Sequence, residues 1–207
     1  MELWLHWFHC VRQLRQACSR TATFMWMTLA LVGFSIRAEL LGVTSFVRAC
    51  FLLPEKYRSL LRFFHSSALD LDKLTALWVG LALKLFSPVL CREYILLVAD
   101  GLKVPKEGKK MPAVKSLHQE SDNNSKPQFI MGHSFQAIGL LVHGLLGQFF
   151  CVPLASRIHE GLVWTNRDKR TLLDKIVGLF FQVAAPLRSV AILIADAYYA
   201  CRNTYFQ

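Results

Sequence analysis

The chain is short of acid, of paired cysteines and of long uncharged runs, and each shortage narrows what it can be. Aspartate and glutamate number 14 against 24 lysines and arginines, leaving a net charge of +10. Such a balance favours a polyanionic partner, either nucleic acid or an acidic membrane surface. The six cysteines (Cys10, Cys18, Cys50, Cys91, Cys151 and Cys201) form no CxxC pair and no Cys/His cluster at zinc spacing. They are expected to be reduced, buried small hydrophobes of a cytoplasmic protein. No basic stretch precedes the first apolar residues and no small-residue cleavage site follows them, so no secretory signal is expected. Internal repeats of solenoid period and low-complexity tracts are missing as well.

Hydrophobic residues nonetheless make up 54% of the chain, against a usual ~45–50%, which raises the membrane question. Residues 21–36 are uncharged but bounded by Arg20 and Arg37, short of the ~20 residues a helix needs to cross. Residues 135–156 are long enough, but they carry Gln136, His143, Gln148, Pro153 and the glycines Gly139, Gly144 and Gly147. That composition suits two strands and a turn better than one helix.

What is present falls into two parts. Over 3–19, Leu3, Trp7, Cys10, Val11, Leu14 and Cys18 recur at helical spacing. A second helix over 23–41 is apolar nearly all round, hence expected to be buried, and ends at Gly42. A short helix over 45–53, one opened by Pro54, and one capped by Asp70 or Asp72 and stopped before Pro88 complete an all-helical region, 1–88. Packing and dimerisation suit this region better than direct reading of DNA, because its arginines form no dense cluster. Its tryptophans and phenylalanines are expected in the core.

The character changes over 89–207. Residues 94–99 are a continuous apolar run suited to a central strand, ending in Asp100-Gly101. A polar arm follows over 101–128, with Lys103, Lys106, Lys109, Lys110, Lys115 and Lys126 among three prolines. Two strands, 129–142 and 149–158, meet near His143-Gly144, and Pro153 assigns the second to a sheet edge. Thr171 and Asp174 form a capping box for a helix bearing Leu172, Ile176, Leu179 and Val183. A last strand, 190–195, delivers Asp196. The order is strand, arm, strand, strand, helix, strand.

Leu-Leu-Val-Ala-Asp at 96–100 and Ile-Leu-Ile-Ala-Asp at 192–196 are the same device used twice. Asp100-Gly101 reads either as a turn pair or as a ligand position, and Asp196 either as a helix cap or as a ligand. Two matched carboxylates at C-terminal strand ends favour the ligand reading, because open α/β sheets bind ligands there. The lysines read equally as phosphate contacts or as a solvated loop. His118 and His133 either touch a partner or are simply hydrogen-bonded.

Across 95–136 the chain resembles the catalytic domain of bacterial insertion-sequence transposases of the DDE superfamily. The residues that carry the likeness are Asp100-Gly101, the Lys-x-Pro-Lys-x-Gly-x-Lys-Met-Pro segment from Lys103 to Pro112, His118-Gln119-Glu120-Ser121, Asn124 to Pro127 and Gly132-His133. Val47-Arg48, Tyr57-Arg58-Ser59-Leu60-Leu61 and Phe63-Phe64 are similar to the family's helical region, and Asp196 to its second aspartate. The resemblance implies an α+β fold, a helical N-terminal region and then a partial RNase H-like mixed sheet with its first and fourth strands adjacent. It implies catalytic Asp100 and Asp196 jointly holding Mg²⁺ (or Mn²⁺). It also implies DNA as partner, contacted by Lys103, Lys106, Lys109, Lys110, Lys115 and His118, a homodimer when complete, and neither membrane nor small-molecule substrate.

One departure stands out. The family's third acidic residue follows the fifth strand, whereas Glu160, Asp168 and Asp174 all precede Asp196. The expectation is therefore a truncated copy, inactive alone. Two other readings compete: a small helical membrane protein with a basic loop at 101–128, and a non-catalytic DNA-binding remnant that inhibits a relative through mixed dimers.

Overall fold

A computed structural model describes residues 2–39, 42–106, 108, 111–118, 127–158, 170–187, 189–196 and 199. The chain is mixed α+β and divides into two units, Met1–Leu81 and Ala82–Gln207.

The first unit is helical: α1 (Glu2–Gln13) with a 3₁₀ turn at Leu14–Ala17, α2 (Thr21–Ile36), α3 (Gly42–Ala49), α4 (Lys56–Phe64) and the body of α5 (Leu71–Leu85). The cap of α5 is Asp70, whose Oδ1 accepts the N–H groups of Asp72 and Lys73 at 3.0 Å each. The same turn is pinned to the end of α1, because Asp70 N–H donates to Ala17 O and Ser19 N–H to Ala68 O, both at 2.9 Å. One stripe of each helix forms the core, with Val11, Leu14, Phe24, Met27, Phe46, Leu60 and Phe63 in contact.

Expectation and structure part here in two ways. Although α2 is apolar all round, it buries only Thr23, Phe24, Met27, Ala30 and Gly33 and leaves Met25, Phe34 and Ile36 exposed. The aromatic residues are likewise divided: Phe24, Phe46 and Phe63 are in the core, while Trp4, Phe8, Phe34, Phe51 and Phe64 are exposed. The reason is geometric, since a helix among a few short partners meets them along one stripe only.

The second unit is a six-stranded sheet with one helix: β1 (Leu90–Cys91), β2 (Tyr94–Pro105), β3 (Lys115–His118), β4 (Phe129–His143), β5 (Phe149–Ile158), α6 (Leu172–Ala184) and β6 (Ala191–Ala195). The long β4 is its spine, pairing antiparallel with β2, β3 and β5. β6 adds to the other edge of β2, in parallel. Ser87 to Cys91 wedges between the start of β2 and the end of β4, through Val89 N–H to Leu141 O, His143 N–H to Ser87 O and Leu96 N–H to Val89 O.

Alternation along the strands sets the core. Ile95, Leu97 and Ala99 of β2 share a buried face with Ile138 and Leu140 of β4, with which Ala99 and Leu97 pair. The α6 stripe of Ile176, Leu179 and Val183 is also buried. Its start is fixed by a full capping box between Thr171 and Asp174, and Gln136 Nε2 donates to Leu172 O at 2.8 Å, which satisfies a polar side chain that is 1% exposed. Pro153 sits opposite Gly139 at a register shift, on a strand that among the described residues pairs only with β4.

β2 does not stop at Asp100. It continues to Pro105, because residues 101–105 find hydrogen-bonding partners along 132–136 of β4. Backbone groups satisfied across a ladder have no need of a turn. The polar arm is thus a long hairpin of β2 and β4, with β3 added on the far side of β4. Among the described residues no helix is long and apolar enough to cross a membrane. Cysteines 10, 18, 50, 91 and 151 are free, and Cys91 and Cys151 are exposed rather than buried, because both lie on short or outer strands.

Candidate metal centre

The parallel pairing of β2 with β6 runs from Ile95 opposite Ala191 to Ala99 opposite Ala195. Asp100 is the next residue of β2 and Asp196 the first residue past the end of β6, so the two follow the last pair of a ladder whose backbones lie about 4.8 Å apart. Asp100 alternates onto the face of Leu96 and Val98, opposite to the buried Ile95, Leu97 and Ala99, and both aspartates are exposed. Asp100 Oδ1 accepts the N–H of Gly101 at 2.7 Å. It sits within a strand, paired with Ala137, and so does not form a turn pair with Gly101. Beyond β6, Tyr199 N–H donates to Asp196 O at 2.9 Å and closes a turn.

Among the described residues no group of three histidines, cysteines or carboxylates gathers as a metal would require. Asp174 is committed elsewhere, since its Oδ2 accepts both the N–H and the hydroxyl of Thr171 at 2.7 Å. Glu160 and Asp168 lie outside the described residues.

The basic candidates scatter over the arm. Lys103 Nζ donates to His118 O at 2.7 Å, bracing β2 against β3. Lys103 pairs with Ser134 and Lys115 with Gly132, so alternation directs both to the face opposite Asp100. Lys106 follows β2, and its N–H donates to Met131 O at 2.8 Å. Partial desolvation, and secondarily the charge of Lys175, lower the pKa of Lys115. Lys109 and Lys110 lie outside the described residues.

The two strand histidines differ. His133 is buried, its Nε2 2.8 Å from Pro112 O with the ring edge-on to Phe135, so it ties the turn before β3 to β4. His118 is exposed, its Nε2 3.4 Å from Gln128 Nε2 and its ring edge-on to Phe129.

Sequence reading passed over Tyr199, a buried aromatic three residues after Asp196. Its only sequence signal was an aromatic residue close behind a candidate ligand. The two carboxylates present an oxygen-only donor set, which suits a hard divalent cation rather than zinc or copper. No protein-family model, no curated protein and no solved structure matches this chain.

Proposed function

We propose that this chain is a DDE-type transposase, that its second unit is an RNase H-like sheet, and that Asp100 and Asp196 together hold Mg²⁺ (or Mn²⁺) for DNA strand cleavage and transfer. The observation that carries the reading is the parallel pair β2/β6, whose last paired residues, Ala99 and Ala195, are each followed at once by one of the two carboxylates. The adjacency of β2 and β6, with α6 between β5 and β6 in the chain, supports this reading.

Two like charges at adjacent positions repel unless a cation or proton intervenes. A bound divalent ion would supply Lewis-acid stabilisation of a phosphoryl oxygen and lower the pKa of an attacking hydroxyl. The chain's own part is to hold Asp100 within β2 and Asp196 directly behind the last paired residue of β6. The N–H of Gly101 fixes one oxygen of Asp100, and Lys106, just past β2, is the described arm lysine best placed to add positive charge for a DNA backbone, since Lys103 and Lys115 face away from Asp100.

Titration with Mn²⁺, followed by electron paramagnetic resonance, tests the pair. Binding lost in Asp100→Asn and in Asp196→Asn, and kept in the surface control Glu55→Gln, is the expected outcome. Equal binding in all four proteins overturns it.

The net charge of +10 equally suits a second reading, a DNA-binding chain that does not cleave and acts through mixed dimers with a relative. Incubation with element-end DNA separates the two. Mg²⁺-dependent nicking abolished by Asp100→Ala supports catalysis, whereas a gel shift without nicking supports the non-cleaving role.

A further inference from the structure

Tyr199 is 8% exposed although it lies beyond the edge strand β6. Its backbone N–H reaches back to Asp196 O at 2.9 Å, so ring and carboxylate belong to one closed turn. The other end of the side chain reaches β2. A Cβ added to Gly101 would stand 3.4 Å from the Tyr199 hydroxyl, and Gly101 immediately follows Asp100. Alternation turns the Cα–H of Gly101 to the face opposite Asp100. The phenol therefore spans from the turn behind one carboxylate to the backbone beside the other, on the far side of the sheet, where it does not compete for the cation.

We infer that Tyr199 is a positioning residue: it clamps the Asp196 turn onto β2 and fixes the spacing of the two carboxylates. This rests on the reading of Asp100 and Asp196 as cation ligands. Outer groups that orient ligands are commonly worth about 10–100-fold in metal affinity.

The test is Mn²⁺ binding by the full chain, with far-UV circular dichroism as a check on folding. Tyr199→Leu, which loses the reach of the ring, and Gly101→Val, which fills the hydroxyl's place, are each expected to bind about tenfold more weakly with unchanged dichroism. Tyr199→Phe keeps the ring and retains most of the affinity. In the unaltered protein, Mn²⁺ slows hydrogen exchange at the Tyr199 amide, because coupling between turn and site is reciprocal. Asp100→Asn separates the two possible failures. If it binds like the unaltered protein, or if neither binds, the cation reading falls and this inference falls with it. If it loses binding while Tyr199→Leu and Gly101→Val bind normally, only the positioning role is overturned. Should those variants unfold, an exchange rate at Tyr199 indifferent to Mn²⁺ overturns it instead.

Discussion

At the scale of single residues, burial separates side chains that look alike in the sequence. Cys18 is buried in the first unit, and desolvation raises its thiol pKa, with the charge of Arg15 opposing in part. Desolvation raises that of Cys50 as well. The folded chain then keeps protons that the unfolded chain gives up, so stability is fully present below the ordinary thiol range and declines as pH rises through it. The thermal midpoint is accordingly expected to fall between roughly pH 8 and pH 10, and Cys18→Ala, Cys50→Ala should flatten that decline. Exposed Cys91 should react with a maleimide in the native protein, and Cys18 only after denaturant is added, as mass spectrometry would show. At the aspartate pair, a cation that binds only the folded state raises stability by about 2.7 kcal/mol at a hundred times its dissociation constant. Calorimetry should find that rise in the unaltered protein and not in Asp100→Asn.

At the scale of elements, the caps of α5 and α6 and most strand bounds were legible, whereas the end of β2 was not. The Thr171-x-x-Asp174 spacing marked the start of α6, and both reciprocal bonds of the box are present. Thr171→Ala should cost about 1 kcal/mol in denaturant unfolding. Polar interruptions and glycines identified β4 and β5 correctly. The continuation of β2 past Gly101 could not be read, because residues 101–105 become strand through partners on β4 rather than through their own propensity. Gly132 belongs to this arm. A Cβ there would meet Val104 O at 2.4 Å, a backbone atom that cannot swing aside. Gly132→Ala should destabilise by about 1–3 kcal/mol, with faster hydrogen exchange along 102–105 and 132–135. Leu97→Ala, at the fully buried centre of β2, should cost about 2–5 kcal/mol.

At the scale of the molecule, the net charge of +10 makes a prediction that single lysines do not. If DNA lies along the arm, its affinity should fall steeply with salt, by a power of about 0.9 for each phosphate neutralised. Replacing Lys106 by Gln should lower the measured salt slope by about one such step, and an unchanged slope would remove Lys106 from the interface. Lys103 is a poorer probe of DNA contact, because its ammonium already braces the arm through His118 O.

The sequence by itself determined the helical first part, the order of strand and helix in the second, and the two aspartates at the ends of matching apolar runs. Those features depend on side-chain periodicity and local capping, which a single chain segment expresses unaided. Only the tertiary structure decided that β6 joins β2 in parallel and in register, that β2 runs on into an arm, and that Tyr199 reaches Gly101. Each of these is a meeting of residues distant in the chain, fixed by hydrogen-bond pairing and packing across the sheet, and no local pattern encodes which partner a strand edge will find.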